Sequence, residues 1–345
     1  MALKAEKLKV DGYETVLTAE DSSVGLKAII AIHNTHLGPS CGGIRLLPYR
    51  TQSEALEDVL RLSKGMSYKS SLAGLGFGGG KAVIISEVSK KTPELFARFG
   101  ELLETLKGRY IAAKDMNVST EDLMAVKTTT SHVLGIEGVP GSSGDPSPVT
   151  AVGCFEALRA TWELVTGKPD LRGVTVALQG LGHVGWDYAV RIREAGGKLI
   201  VSDINEPILA KARTELRATV VDNNAIYGVE CDVFAPCARG AIINPETLPR
   251  LKCRAIVGCA NNQLATPAEG QTLWKKGIVY APDYVVNAGG IINIFVEYEG
   301  YNRAKAIQKA SAIYDTVKTI LRRAEKEKTP PFLIADKMAE ERLYG

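Results

Sequence analysis

The stretch Val174-Thr-Val-Ala-Leu-Gln-Gly180-Leu-Gly182-His-Val-Gly185 carries the reading of the whole chain. Its first six residues are mostly apolar and predict a strand over 174–179; the pattern after the glycines predicts a helix over 184–195. Glycines spaced G-x-G-x-x-G between a strand and a helix form a dinucleotide-binding fingerprint. Gly180 permits the tight turn, Gly182 lets the backbone reach a pyrophosphate, and Gly185 lets the helix pack closely on the strand. The free N–H groups and positive dipole end of that helix then face the phosphates. A second strand, 199–203, ends on Asp203, eighteen residues after Gly185. A carboxylate there accepts hydrogen bonds from ribose hydroxyls and repels a 2′-phosphate, so NAD is expected rather than NADP.

Working outward, a helix is expected over 151–165 and short strands at 233–234, 255–257 and 279–280. Strands alternating with helices predict a parallel, doubly wound sheet, a Rossmann-type domain over 148–288. The segment before it, 135–148, holds four glycines and three prolines, a linker or ligand-loop composition. The first 140 residues mix helix and strand. A strand is expected at 24–33, a turn-rich segment at 36–43, and a capping box at Thr51-Gln-Ser-Glu54. Leu56, Val59, Leu60, Leu62, Ser63 and Met66 follow at helical spacing. A glycine run, 74–80, leads to a strand at 82–85; a helix over 93–106 and a strand ending at Asp115 complete the domain. From Asn287 the chain reads as helical, and residues from about 290 to 345 are expected to pack on the first domain. The fold class is thus α/β, with an α/β substrate domain, a dinucleotide-binding domain and a cleft between them.

Composition excludes several classes. A chain of 345 residues suits two domains at about 150 residues each. Hydrophobic residues at 45% and charged residues at 23% are ordinary for a folded protein, which removes disorder from consideration. Net charge is +3, and the basic stretch 318–328 includes Glu325 and Glu327, so it reads as a solvated helix face and no nucleic-acid partner is expected. The N-terminal residues lack the apolar core of a signal peptide, and 26–32 is too short to span a bilayer; no membrane partner is expected. Six cysteines without a C-x-x-C pair suit reduced thiols in the cytoplasm. His33 and His36 have no acidic or thiol ligand at metal spacing, so no metal is expected.

Lys69 and Lys81, twelve residues apart, flank the glycine run. A phosphate-binding loop is ruled out there, because Leu75 stands where its first glycine belongs and Ala82 replaces its Ser/Thr. Five glycines in seven residues cost folding entropy and usually serve close backbone approach. Two ammonium groups facing one cleft repel each other, and desolvation adds to that, lowering at least one pKa toward neutrality. Such a lysine serves as a general base while the other holds a carboxylate.

The segments Gly42-Gly-Ile-Arg45, Lys64-Gly-Met-Ser-Tyr-Lys69 and Gly78-Gly-Gly-Lys81 resemble the glutamate/leucine/phenylalanine/valine dehydrogenase family. So do Gly144-Asp-Pro-Ser-Pro148, Cys259-Ala-Asn-Asn-Gln263 and Pro282-Asp-Tyr-Val-Val-Asn-Ala-Gly-Gly290, in family order over most of the chain. Within the family, residues 26–38 and Asp115-Met-Asn-Val-Ser119 look most like the tryptophan dehydrogenases, alongside the leucine and phenylalanine enzymes. The resemblance implies reversible oxidative deamination of a hydrophobic L-amino acid to its 2-oxo acid and ammonia, with NAD, by a homo-oligomer. It implies that Lys69 binds the substrate carboxylate, Lys81 activates water, Asp115 shuttles protons at the amino group and Asn262 contacts the amino-acid portion. Neither Lys81 nor Asp115 is expected in the core. On the cofactor side it implies Thr150, His183, Val184, Ile204, Cys237, Ala238, Ala260 and Asn261, together with the fingerprint glycines and Asp203.

Three residues depart from the family pattern: His183, Lys114, which is expected to shift Asp115 downward, and Arg239. The side-chain pocket is expected to be apolar, built from Cys41, Gly43, Met66, Ala113, Ile291 and Ile294, with room for an aromatic ring. Glutamate dehydrogenase is the same chemistry on an acidic substrate; its members carry lysine at the position of Cys41 and serine at that of Ile294. A non-catalytic NAD-binding sensor is the other alternative, and the presence of Lys81 and Asp115 speaks against it.

Overall fold

In the computed structural model, which describes residues 3–345, contacts divide the chain into two units. The first runs up to Asp145 and includes Asn293–Arg303 and Ala339–Gly345; the second holds Pro146–Ile292 and Ala304–Met338.

The first unit is built on β1 (Lys4–Leu8), β2 (Thr15–Asp21), β3 (Leu26–Asn34), β4 (Ser40–Leu47), β5 (Gly78–Ile85) and β6 (Tyr110–Lys114). Helices α1 (Gln52–Leu72) and α2 (Pro93–Glu104) connect β4 to β5 and β5 to β6, and α3 (Thr120–Lys127) follows β6. The sheet order is β1-β2-β3-β5-β4-β6; the first four strands are antiparallel neighbours, while β5, β4 and β6 run parallel. One face buries Ile30, Ile32, Ile44, Leu46 and Ile84 against Phe96, Phe99 and Leu123 of α2 and α3. The other buries Ile29, Ala31 and Val83 beneath Ala55 and Val59 of α1. Thr51 caps α1, accepting from the Glu54 N–H at 3.1 Å, but the Glu54 carboxylate reaches the Arg50 N–H rather than that of Thr51.

Two expectations change here. The segment 36–43 is not only turn, because β4 begins at Ser40. The glycine run is not a loop before a strand either: Gly78, Gly79, Gly80 and Lys81 all lie within β5. The reason is the distance of closest approach. A Cβ on Gly79 would come within 2.1 Å of the Ser67 nitrogen and 2.6 Å of the Ser63 carbonyl oxygen, so only a bare backbone lets α1 lie on this strand. Strands β1 and β2 carry no apolar alternation strong enough to announce them, and β1 is an exposed edge.

The second unit contains α4 (Ser147–Thr166), β7 (Thr175–Gln179), α5 (His183–Glu194), β8 (Lys198–Ser202), α6 (Glu206–Glu215), β9 (Thr219–Val220), β10 (Val233–Pro236) and β11 (Ala255–Ile256). Then come α7 (Pro267–Lys275), β12 (Val279–Tyr280) and α8 (Asp283–Val286). The sheet is parallel throughout, in the order β12-β11-β10-β7-β8-β9. The remaining helices are α9 (Gly289–Tyr298), α10 (Arg303–Ser311), α11 (Ile313–Glu327) and α12 (Pro331–Tyr344). The C-terminal helices are expected on the first domain, yet 304–338 group with the second unit. Their apolar stripe explains it: α11 buries Val317, Ile320 and Leu321 and packs on α4, Ile313 fills the space left by Gly153, and Lys318 Nζ bonds Glu163 at 3.0 Å.

Among the described residues no helix is long and apolar enough to cross a membrane, and all six cysteines are free thiols. The Gly79→Ala variant is expected to lose about 3 kcal/mol of stability, the cost of overpacking against backbone that cannot yield. Chemical denaturation measures it; an unchanged midpoint would contradict the packing of α1 on β5.

Candidate active site

Strand β4 lies between β5 and β6, and its register sets the site. Cys41 stands between Gly79 and Ile111, and Gly43 pairs with Ala113. Carrying the same offsets along the strands puts Lys81 on the other side of Gly43, and Asp115 beside Arg45. Alternation turns all these side chains to the face that α1 covers. Because Gly43 has no side chain, Lys81 reaches across it, and its Nζ lies 2.7 Å from Asp115 Oδ2. A Cβ on Gly43 would stand 2.5 Å from the Asp115 Cβ.

The same Asp115 oxygen accepts from Arg45 Nε at 3.0 Å. Arg45 Nη1 donates to Asp58 Oδ2 of α1 at 3.1 Å, and Asp58 also accepts from the Tyr49 hydroxyl at 2.7 Å and from Arg61 at 2.9 Å. Sequence reasoning misses this second layer. Arg45 is visible only inside the Gly42-Gly-Ile-Arg45 block, and Asp58 looks like any charged residue on a helix surface.

Lys81 is only 6% exposed, contrary to the expectation that it lies outside the core. Burial pushes its ammonium below the ordinary lysine range; Asp115 pulls it back in part, and Arg45 pushes it down further. The repelling cation beside it is therefore Arg45, in place of the expected Lys69. Burial alone would raise Asp115, but Lys81 and Arg45 outweigh it and hold the carboxyl below the usual range. Lys114 is exposed, turned by strand alternation to the other face, and the cations that act on Asp115 are Lys81 and Arg45.

Cys41 and Ala113 are buried on this face. Burial pushes the Cys41 thiol up to about 12, so it stays neutral. Met66 comes from α1, its Cγ 3.5 Å from where a Cβ on Gly42 would stand. Lys69 follows Met66 by three residues, on the same helix stripe, and is half-buried. Ile294, in the first unit, lies against Gly135, its Cδ1 2.6 Å from the position of a Cβ there. Ile291 and Asn262 belong to the second unit; Ile291 is buried, and Asn262 is exposed with a left-handed backbone, φ +52°.

In the second unit, strand order reverses between β7 and β10, the switch point where open α/β sheets bind ligands beyond their strand ends. The fingerprint turn lies there. Gly180 has φ +97°, and a Cβ on it would meet Ala238 at 2.8 Å. A Cβ on Gly185 would meet the Gly180 carbonyl oxygen at 2.1 Å. A Cβ on Gly182, by contrast, would meet nothing within 4 Å. Gly182 also caps α5, and no side chain of the cap takes up the N–H groups of that helix end. His183 is exposed and Val184 half-buried at the same end.

Asp203 follows β8; its Oδ2 accepts from the Leu181 N–H at 2.6 Å and its Oδ1 from the Asn205 N–H at 2.8 Å, which leaves a further lone pair on each oxygen. Ile204 beside it is 87% exposed. Cys237 and Ala238 follow β10, and Ala260 donates its N–H to the Pro236 carbonyl at 3.0 Å. Asn261 is exposed, and its Oδ1 accepts from Asn287 at 2.7 Å. Thr150 is buried at the start of α4, its hydroxyl donating to the Pro146 carbonyl at 2.9 Å. These residues fit a dinucleotide: an uncapped helix end, an open glycine, a carboxylate and an exposed apolar side chain stand at one strand-end crevice.

The family described as Glu/Leu/Phe/Val dehydrogenase, dimerisation domain, matches residues 13–132, and Glutamate/Leucine/Phenylalanine/Valine dehydrogenase matches residues 205–329. Leucine dehydrogenase of Geobacillus stearothermophilus is 48% identical over 96% of this chain and 90% of its own. Phenylalanine dehydrogenase of Bacillus thermotolerans is 44% identical over 97% of this chain and 89% of its own. The crystal structure of L-tryptophan dehydrogenase from Nostoc punctiforme superposes with a TM-score of 0.87 at 40% identity, covering 96% of each chain.

The Gly43→Ala variant is expected to part Lys81 from Asp115, since its Cβ must displace one of them. A crystal structure of the variant checks it: the 2.7 Å contact should open beyond hydrogen-bond distance, and its survival would contradict this reading of the glycine.

Proposed function

Since the chain belongs to the glutamate/leucine/phenylalanine/valine dehydrogenase family, and is therefore an amino-acid dehydrogenase, an oxidoreductase, we propose that it carries out the NAD-dependent, reversible oxidative deamination of a hydrophobic L-amino acid. The observation that carries this reading is the buried Lys81 paired with Asp115 beneath α1, beside the neutral walls of Cys41 and Ala113.

Residues Gly180, Gly182, His183, Val184, Gly185, Asp203 and Ile204 would hold the adenosine and pyrophosphate of the dinucleotide, with Thr150, Cys237, Ala238, Ala260 and Asn261 toward the nicotinamide. When bound, the cofactor supplies the acceptor for the hydride that leaves the substrate α-carbon. Lys69 fixes the substrate carboxylate and Asn262 its amino-acid portion. Asp115, kept ionised by two cations, takes a proton from the substrate ammonium, so that the amine lone pair is free to form the imine. Lys81, its pKa lowered by burial, removes a proton from the water that attacks the imine carbon. Asp115 then returns a proton to the nitrogen, which leaves as ammonia. The Asp203 carboxylate disfavours a 2′-phosphate, which supports NAD as the cofactor. The free thiols support a cytoplasmic setting, and the family description of residues 13–132 supports a homo-oligomer.

Burying a leucine-sized side chain against apolar walls contributes roughly 1.5–3 kcal/mol, whereas glutamate would strand a charge there at greater cost. Small Ala113 and flexible Met66 leave room for a ring, so phenylalanine and tryptophan stand beside leucine as substrates. Cofactor reduction across leucine, valine, phenylalanine, tryptophan, alanine and glutamate, each with NAD and NADP, is the test. A large apolar substrate with NAD should have the highest kcat/KM, and Ile294→Ala should reorder the panel. Glutamate or alanine in first place, or equal use of NADP, would sink the reading.

Lys81→Ala and Asp115→Asn should each lower kcat by about 10²-fold or more, the usual loss for an acid–base group. Lys81→Ala also leaves a buried gap, so its melting temperature should fall, and both numbers are to be read on protein shown to be folded. Near-normal turnover in either variant removes that residue from the mechanism.

A further inference from the structure

The mechanism asks a buried lysine to lose its proton while ion-paired to a half-buried carboxylate. Giving up that proton leaves Asp115 without the cation at 2.7 Å, and a carboxylate only 25% exposed is held less well without a counterion. A second cation already sits on the same oxygen. Arg45 Nε reaches Asp115 Oδ2 at 3.0 Å from the neighbouring strand position, with its side chain only 16% exposed. Asp58, 18% exposed, holds the far side of the guanidinium at 3.1 Å and is itself braced by Tyr49 and Arg61.

We propose that Arg45, clamped by Asp58, is a positioning residue that shares the Asp115 carboxylate with Lys81, so that Lys81 can be neutral while Asp115 stays charged and aimed. This rests on the dehydrogenase reading for its purpose but on the geometry alone for its effect on Lys81. The four groups Lys81, Arg45, Asp115 and Asp58 balance in charge while the lysine is protonated. When it is not, Arg45 remains as the counterion of Asp115, and Asp58 loses nothing. A guanidinium suits this place because it bridges two carboxylates with separate N–H groups and does not itself titrate.

The other groups facing the pair are Cys41 from β4, Tyr49 after β4 and Arg61 from α1; Tyr110 of β6 lies on the opposite face, in the core with Ile44 and Phe96. The Tyr49 hydroxyl and the Cys41 thiol are both raised by burial, and so stay neutral wherever Lys81 titrates. The signs follow from Coulomb's law. Removing the Arg45 charge lets Lys81 keep its proton to higher pH. Removing the Asp58 charge does the opposite, because a nearby carboxylate favours the ammonium.

The test is the pH profile of kcat/KM for oxidation of the best amino acid in the panel, in the wild type and in Arg45→Gln, Arg45→Lys and Asp58→Asn. Arg45→Gln should move the acidic limb up by about one pH unit or more, with about tenfold lower activity near neutrality that recovers in alkali. Arg45→Lys should return the limb toward the wild-type position, and Asp58→Asn should move it down. A limb indifferent to Arg45→Gln, or one that Asp58→Asn shifts the same way, overturns the proposal; a residue that merely supports the fold would lower activity without these opposed shifts. If Arg45→Gln does not fold, the direction of the Asp58→Asn shift decides. NMR titration of the Lys81 ammonium in lysine-labelled protein reads the same opposed shifts without turnover. A wild type that never reduces NAD with any amino acid therefore sinks the dehydrogenase reading and leaves this inference to be judged on the titration.

Discussion

One oxygen, Oδ2 of Asp115, receives the Lys81 ammonium at 2.7 Å and the Arg45 guanidinium at 3.0 Å, and much of the first unit is arranged around that meeting. Lys81 stands one strand away from β6, so it meets Asp115 only if the intervening strand is bare at Gly43. The helix above lies low enough to bury the lysine only if β5 is bare at Gly79. The opposite face of the same sheet carries the large apolar core under α2 and α3, which holds the strands in register. Close packing on one face makes it rigid, and absent side chains on the other make room for charge.

Burial acts on the two partners in ways that separate their roles. A buried ammonium gives up its proton more readily, while a carboxylate between two cations keeps its charge. The pair thus holds one group prone to lose a proton and one held ionised, the division that acid–base chemistry needs. Cys41, fully buried next to them, stays a neutral wall because the same desolvation pushes its thiol up to about 12.

The three fingerprint glycines of the second unit answer to different demands. Gly180 turns the chain through a left-handed backbone and passes Ala238, and Gly185 lets α5 sit against the Gly180 carbonyl; both are required by the fold itself. Gly182 answers to nothing in the chain, since a side chain there would enter open space. That bareness is what the proposed approach of a dinucleotide phosphate to the α5 helix end would require.

Much is legible in the sequence because it is local. The strand–turn–helix at 174–195, the amphipathic spacing of α1 and the Thr51 cap each depend on neighbours a few residues apart. The roles proposed for Lys81 and Asp115 come from the likeness of whole blocks to a family. What the sequence leaves hidden depends on partners far along the chain. Gly78–Lys81 look like a loop until α1 is laid on them. Asp58 looks solvated until Arg45 reaches it. Glu297 looks like one more helix carboxylate until it accepts the N–H groups of Gly135 at 3.1 Å and Ser143 at 2.7 Å, more than 150 residues away. The helices of 304–338 carry an apolar stripe that shows they must pack but does not name α4 as their partner. Period and turn chemistry are set by adjacent residues and can be read in order. Which charges share one carboxylate oxygen is set by strand order and register, and only the folded chain decides that.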